Sequence, residues 1–141
     1  MDALNAVAVA ATFVWLGMVL AISFLEAPLK FRAPGVTVRI GLGIGRLVFR
    51  ALNRAEAVLA VVVVTAVALA RPPLSVVLLT AVTVLLLTLQ LAAVRPVLNR
   101  RSDRVLAGEE LPRSRAHVLY AAAEALKALA LLTLGITTLA V

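Results

Sequence analysis

Residues 30–56, KFRAPGVTVRIGLGIGRLVFRALNRAE, join two apolar segments and decide how this chain of 141 residues is arranged. The stretch holds six of the fourteen lysines and arginines, namely Lys30, Arg32, Arg39, Arg46, Arg50 and Arg54. A second group of six surrounds residues 95–115, whereas the connection between the two groups carries only Arg71. By the positive-inside rule, both basic connections are expected on the cytoplasmic side of a bacterial-type inner (plasma) membrane, with both termini on the non-cytoplasmic side.

The segments outside this stretch have the composition of an integral membrane protein. Hydrophobic residues make up 63% of the chain and the mean hydropathy is +1.08. A membrane-spanning helix needs roughly 20 apolar residues. Hydropathy and helical continuity predict four such helices, at about 4–27, 45–70, 74–94 and 116–139. Because every backbone polar group must be paired in lipid, we expect one all-α domain over residues 1–141, an integral membrane four-helix bundle.

The connections are predicted from turn signals. Residues 35–45 place apolar residues at every second position, 36 to 44, among four glycines and indicate a re-entrant or interfacial stretch before the second helix. The pair Arg95 and Pro96 is expected to close the third helix. Residues 99–115 then indicate a polar surface loop, with Ser114 as a candidate cap of the fourth helix.

Ionisable side chains within apolar segments are expected to turn into the bundle and find partners there, because exposure to hydrocarbon costs several kcal/mol. The predicted topology places these groups at similar depth, in the cytoplasmic half of the membrane. They are the candidate ligand-binding residues of one polar cluster: Glu26, Arg46, Arg50, Asn53, Glu56, Gln90, His117, Tyr120 and Glu124. Glu124 and Lys127, one helical turn apart, are expected to form a mutual or interhelical ion pair.

The arginine ladder in the second helix allows two interpretations. Arg46, Arg50 and Arg54 recur every four residues, so two or more of them could clamp a phosphate or carboxylate with bidentate hydrogen bonds. The alternative is contact with anionic headgroups of the surrounding lipid, worth about 1 kcal/mol per basic residue. Membrane lipids are therefore the expected partners. A homo-oligomer or a larger membrane complex is a further expectation.

Several other classes of function find no support in the sequence. The chain has no cysteine and a single histidine, so no metal site and no cofactor is predicted. The glycine run at residues 41–45 lacks the strand that a dinucleotide-binding turn follows. Few aromatic residues accompany the positive charge, so nucleic acid is not an expected partner. No catalytic motif is present, and no catalytic residue is predicted.

Two resemblances rest on short motifs. The sequence SF at residues 23–24, PLKFR at 28–32, Pro96 after the third helix and His117 near the start of the fourth resemble the small four-helix membrane proteins grouped with transmembrane protein 205. That resemblance implies the fold and leaves the function open. Residues 50–56, RALNRAE, are similar to the second-helix signature of the membrane-associated eicosanoid and glutathione enzymes, with Asn53 and Glu56 in matching spacing. This second resemblance implies trimers that hold glutathione between subunits.

The leading hypothesis is a small polytopic membrane protein whose cytoplasmic-side polar cluster binds a lipid or small amphipathic ligand, or which serves as an accessory membrane subunit. One alternative is a membrane enzyme that modifies glutathione or lipid. The other is a small transporter or ion-conducting subunit, which would need a polar path across the whole membrane.

Overall fold

Four long helices account for most of the chain in the computed structural model, which describes residues 1–111 and 115–141. They are α1 (Ala3–Arg32), α2 (Val38–Ala70), α3 (Leu74–Leu106) and α4 (Arg115–Leu139), each long and apolar enough to cross a membrane. No strand occurs within the described ranges. The predicted all-α four-helix bundle and a multi-pass membrane protein are thereby confirmed, while the expected cap Ser114 lies outside the described residues.

The helices form an antiparallel ring. α1 packs against α2 and α4, α4 packs against α3, and α2 meets α3 to close the ring, so α2 and α4 face each other across the bundle. We call the end with the α1–α2 and α3–α4 connections the basic end. The other end, with both termini and the α2–α3 connection, is the terminal end. The apolar core is buried around Trp15, Val19, Val63 and Leu131.

Widened helical turns precede two prolines and keep their helices continuous. In α1 the segment Leu20–Glu26 is π-helical and is followed by Pro28, and in α3 the π-helical segment Gln90–Val94 is followed by Pro96. Each proline thus occupies the first turn of a new α-helical segment, where its missing N–H costs little. The prediction that the third helix closes at Pro96 is therefore wrong, and the expected loop is helical as far as Leu106.

α2 already begins at Val38, so most of the stretch 35–45 that was expected to precede the second helix is helical, while its interfacial position stays a prediction. The Thr37 side chain accepts a hydrogen bond of 3.2 Å from the Ile40 N–H and caps this early start. Glycines let the end of α1 approach α2 closely at this point. A Cβ atom on Gly41 would collide with the ring of Phe31, and one on Gly45 would lie 2.9 Å from Lys30 Nζ. The glycine run is therefore a packing feature.

Candidate functional site

A buried ionic network lies on the bundle axis, with Lys127 of α4 at its centre. Lys127 Nζ lies 2.5 Å from Glu56 Oε1, 2.6 Å from Glu124 Oε1 and 2.7 Å from Gln90 Oε1. Each of these four residues is at most 2% exposed. The ammonium group donates a hydrogen bond to Gln90 Oε1 and lies within ion-pair distance of both carboxylates. The expected pair of Glu124 and Lys127 is present, and it also engages α2 and α3.

Helix α1 completes this network from the fourth side. Trp15 Nε1 donates a hydrogen bond of 2.9 Å to Glu56 Oε1, and Ser23 Oγ donates one of 2.9 Å to Glu124 Oε2. The ionic network therefore consists of Trp15, Ser23, Glu56, Gln90, Glu124 and Lys127, and every helix of the bundle contributes to it. It contains two carboxyl groups and one ammonium group.

A cavity of about 480 Å³ opens between the helices on the basic-end side of the network, and we call it the basic-end cavity. Glu124 and Ser23 line it as well as belonging to the ionic network, so the two features share a wall. Aromatic and apolar side chains form much of the remaining surface. The residues used below are Lys30, Phe31, Arg46, Phe49, Arg95, His117 and Tyr120, all of which line this cavity.

Arg95 is held in the wall of this cavity by two aromatic rings. Its guanidinium carbon lies 4.6 Å from the ring centroid of Phe49 and 4.4 Å from that of Tyr120. The two rings are themselves in edge-to-face contact, with centroids 5.8 Å apart. Arg95 Nε and Nη2 are buried and have no hydrogen-bond partner in the described chain. The rings therefore fix the guanidinium without using these two donors.

The other cations at the cavity differ from Arg95 because they have carboxylate neighbours. Lys30 Nζ lies 3.8 Å from Glu26 Oε2, and Arg46 Nη1 forms an ion pair with Asp103. Arg95 forms no ion pair with any acid in the part of the chain that the structure describes. It is thus the cavity arginine whose charge is not balanced by direct contact, and two of its donors have no partner in the described chain.

A second, shallower depression lies between α2 and α3, and we call it the α2–α3 groove. Its volume is about 300 Å³, and Arg95 lines it together with the arginine ladder Arg46, Arg50 and Arg54. Ala57 and Leu91 supply apolar surface in the same groove. Arg50 and Arg54 are exposed, so this groove faces the surroundings of the bundle.

Most of the sequence-predicted site residues are divided among the basic-end cavity, the α2–α3 groove and the ionic network, so no single feature contains them all. The basic-end cavity contains Arg46, His117, Tyr120 and Glu124; the groove contains Arg46, Arg50 and Asn53; the ionic network contains Glu56, Gln90 and Glu124. Glu26 contacts Lys30 and does not line either depression. Whether any of them binds a ligand stays a prediction.

Three members of the ionic network, together with Arg95, were not among the predicted site residues. Lys127 carried a sequence signal, since it stands one turn from Glu124 in an apolar helix. Arg95 carried only its position at the end of an apolar segment. Trp15 and Ser23 gave no signal of their partners, because these lie 41 and 101 positions away in sequence.

Within residues 1–111 and 115–141, no group of three or more metal-ligating side chains is placed to hold a metal ion. Comparison with protein-family models, with curated proteins and with solved structures gives no match. The resemblances to the transmembrane protein 205 group and to the eicosanoid and glutathione enzymes therefore stay predictions.

Proposed function

We propose that this membrane protein binds a lipid or another small amphipathic anion in the basic-end cavity. The observation that carries the proposal is Arg95, a guanidinium fixed between Phe49 and Tyr120 with two buried donors that have no partner. Unpaired buried donors cost free energy, and an anionic group placed against them would recover that cost.

The amphipathic character of the ligand follows from the cavity wall. Its volume of about 480 Å³ falls within the range of small-molecule sites, roughly 300–1,000 Å³. Phe31 and Leu42 give the wall apolar surface, while Arg95 and His117 give it polar groups that can fix a headgroup. A purely hydrophilic anion would leave the apolar surface uncovered.

We further propose that the basic end faces the cytoplasm of a bacterial-type inner membrane, with both termini on the other side. The distribution of twelve basic residues at the two basic connections against Arg71 at the third supports this orientation. The cavity would then be open toward the leaflet in which anionic headgroups attract basic segments. Assembly into a homo-oligomer or as an accessory subunit remains compatible with this placement.

The enzyme alternative receives less support from the geometry. In the resemblance to the glutathione enzymes, Asn53 and Glu56 would act on one ligand. Here Asn53 lines the α2–α3 groove, whereas Glu56 is 1% exposed and bonded to Trp15 and Lys127. Glu56 therefore has no open face to offer a ligand in that groove.

The test uses decane-1-sulfonate, a single-chain amphiphile that remains singly charged over the usual pH range. Calorimetry with the protein in nanodiscs of zwitterionic phospholipid should show saturable binding. Arg95→Gln should weaken that binding at least about tenfold, since charged hydrogen bonds contribute roughly 1.5–3 kcal/mol. Arg39→Gln removes the same charge at the same end but outside both depressions, and it should bind like the parent. Equal weakening by both variants would reduce the effect to general charge and contradict the proposal.

A further inference from the structure

Two basic and two acidic side chains are buried beneath the basic-end cavity. Arg95 and Lys127 are the basic pair and Glu56 and Glu124 the acidic pair, so the four charges balance when both acids are ionised. A net charge in the apolar interior of a membrane protein is costly. An anion that binds beside Arg95 would add one negative charge to this balanced set.

Glu124 connects the anion position to the ionic network. It lines the cavity that Arg95 also lines, and it contacts Lys127 inside the bundle. Tyr120 stands one turn before Glu124 on α4 and stacks on Arg95, so it links the helical turn that carries Glu124 to the guanidinium. The polar and charged groups that face Glu124 or its cavity are Ser23 and Lys30 on α1, Glu56 and Arg46 on α2, Gln90, Arg95, Asn99 and Ser102 on α3, and His117, Tyr120 and Lys127 on α4.

We propose that the basic-end cavity takes up its anion together with one proton, which is carried by the carboxyl pair Glu56 and Glu124. This inference rests on the proposed function. In the step, one carboxylate accepts a proton from water and becomes a neutral carboxylic acid, while the anion binds without any covalent bond. The buried set of charges is then neutral both before and after binding.

The proton has access from one side of the bundle. Residues 3–16, 60–70, 74–87 and 131–139, which build the terminal end, contain no Asp, Glu, Lys, Arg or His. The cavity, in contrast, reaches Glu124 from the basic end. The proton therefore enters and leaves on the same side as the anion. The anion and the proton together are bound as a neutral acid would be.

Proton uptake can be counted by calorimetry in buffers of different ionisation enthalpy, at mildly alkaline pH and with decane-1-sulfonate in the same nanodiscs. The slope of the observed enthalpy against the buffer enthalpy gives the number of protons taken up. Because the sulfonate itself does not titrate, we expect about one proton per anion bound, released by the buffer and taken up by the protein.

Glu124→Gln removes one negative charge and should change two readouts together. Proton uptake should fall close to zero, and binding at mildly alkaline pH should strengthen about tenfold, because the anion then neutralises a net positive charge and does not add a net negative one. Glu56→Gln changes the charge in the same way and provides a second variant with the same expectation. A role of these residues that is only structural would weaken binding and leave the proton count unchanged.

His117→Gln is the control for the other titratable group in the wall, and it should retain the uptake of one proton. Loss of uptake in His117→Gln with retention in Glu124→Gln would assign the proton to His117 and overturn the inference. Binding by the parent protein without proton uptake would also overturn it, while leaving the proposed function intact. Absence of sulfonate binding would instead remove the proposed function, and the inference with it.

Discussion

The two ends of the bundle use polar groups in opposite ways. At the terminal end the buried polar side chains are threonines that bond within their own helix: Thr80 Oγ1 donates to the Val76 carbonyl and Thr138 Oγ1 to the Leu134 carbonyl, at 2.8 and 2.7 Å. Toward the basic end the polar groups bond between helices, as Trp15 does with Glu56. Apolar packing thus holds the helices together at the terminal end. In the half toward the basic end, the ionic network joins all four helices.

This difference bears on function because it closes one side of the molecule. A transporter path would need polar groups along the terminal end, and the hydroxyls of Thr80, Thr83 and Thr138 there donate to backbone carbonyls of the preceding turn. The cavity lies on the basic-end side of the ionic network, which is itself buried. The arrangement favours binding from one side over passage across the membrane.

Removal of Lys127, the central cation of the ionic network, should have the largest effect on stability. Lys127→Met leaves Glu56 and Glu124 as uncompensated buried carboxylates, and breaking a buried ion pair in this way costs about 3–5 kcal/mol. We expect a large loss of stability in thermal unfolding followed by circular dichroism in detergent micelles.

The matching control for Lys127→Met changes both acids as well. The variant that combines it with Glu56→Gln and Glu124→Gln contains no charge in the network, so most of the stability should return. If the single variant unfolded at the parent temperature, the ionic network would not hold the four helices together.

Loss of the Trp15 indole N–H should have the next largest effect on stability. Trp15→Phe keeps an aromatic ring in the core but removes the N–H that bonds Glu56 Oε1 at 2.9 Å, which is expected to cost about 2 kcal/mol for a hydrogen bond to a charged group. The loss is measured by chemical unfolding in micelles. In a Glu56→Gln background the same substitution should cost clearly less, and an equal loss in both backgrounds would show that ring packing alone is responsible.

Removal of a single hydroxyl group should have a smaller effect on stability, and the loss should differ between the two ends of the bundle. Ser23→Ala removes an interhelical donor to Glu124 Oε2 and should lose about 1 kcal/mol. Thr80→Val removes a hydroxyl whose acceptor, the Val76 carbonyl, also belongs to the backbone ladder of α3, so the change should stay within about 0.5 kcal/mol. Unfolding of both variants under one condition compares them directly, and a larger loss for Thr80→Val would reverse the contrast.

The sequence was sufficient for the helices and for the inward turning of the charges, because hydropathy and the cost of exposing an ion to lipid act on each segment separately. The sequence was not sufficient to predict which side chains bond to each other. The bond between Trp15 and Glu56 depends on the relative depth and rotation of α1 and α2, which no local pattern records. The continuation of α3 past Pro96 depends on the π-helical segment Gln90–Val94, which a proline position alone does not predict.

Substitutions of the glycines at the start of α2 should change the stability least. The change should have opposite signs at Gly41 and Gly43. Nothing lies within 4 Å of a Cβ atom on Gly43, so Gly43→Ala should gain up to about 1 kcal/mol from helix propensity. Gly41→Ala gains the same propensity but drives its methyl group into the ring of Phe31, which must swing away from α2. Chemical unfolding should therefore place Gly41→Ala below Gly43→Ala by roughly 1–2 kcal/mol, the usual cost of overpacking. In a Phe31→Ala background the ring is absent and the two variants should become equal; a difference that persisted there would mean that Gly41 does not serve the contact between α1 and α2.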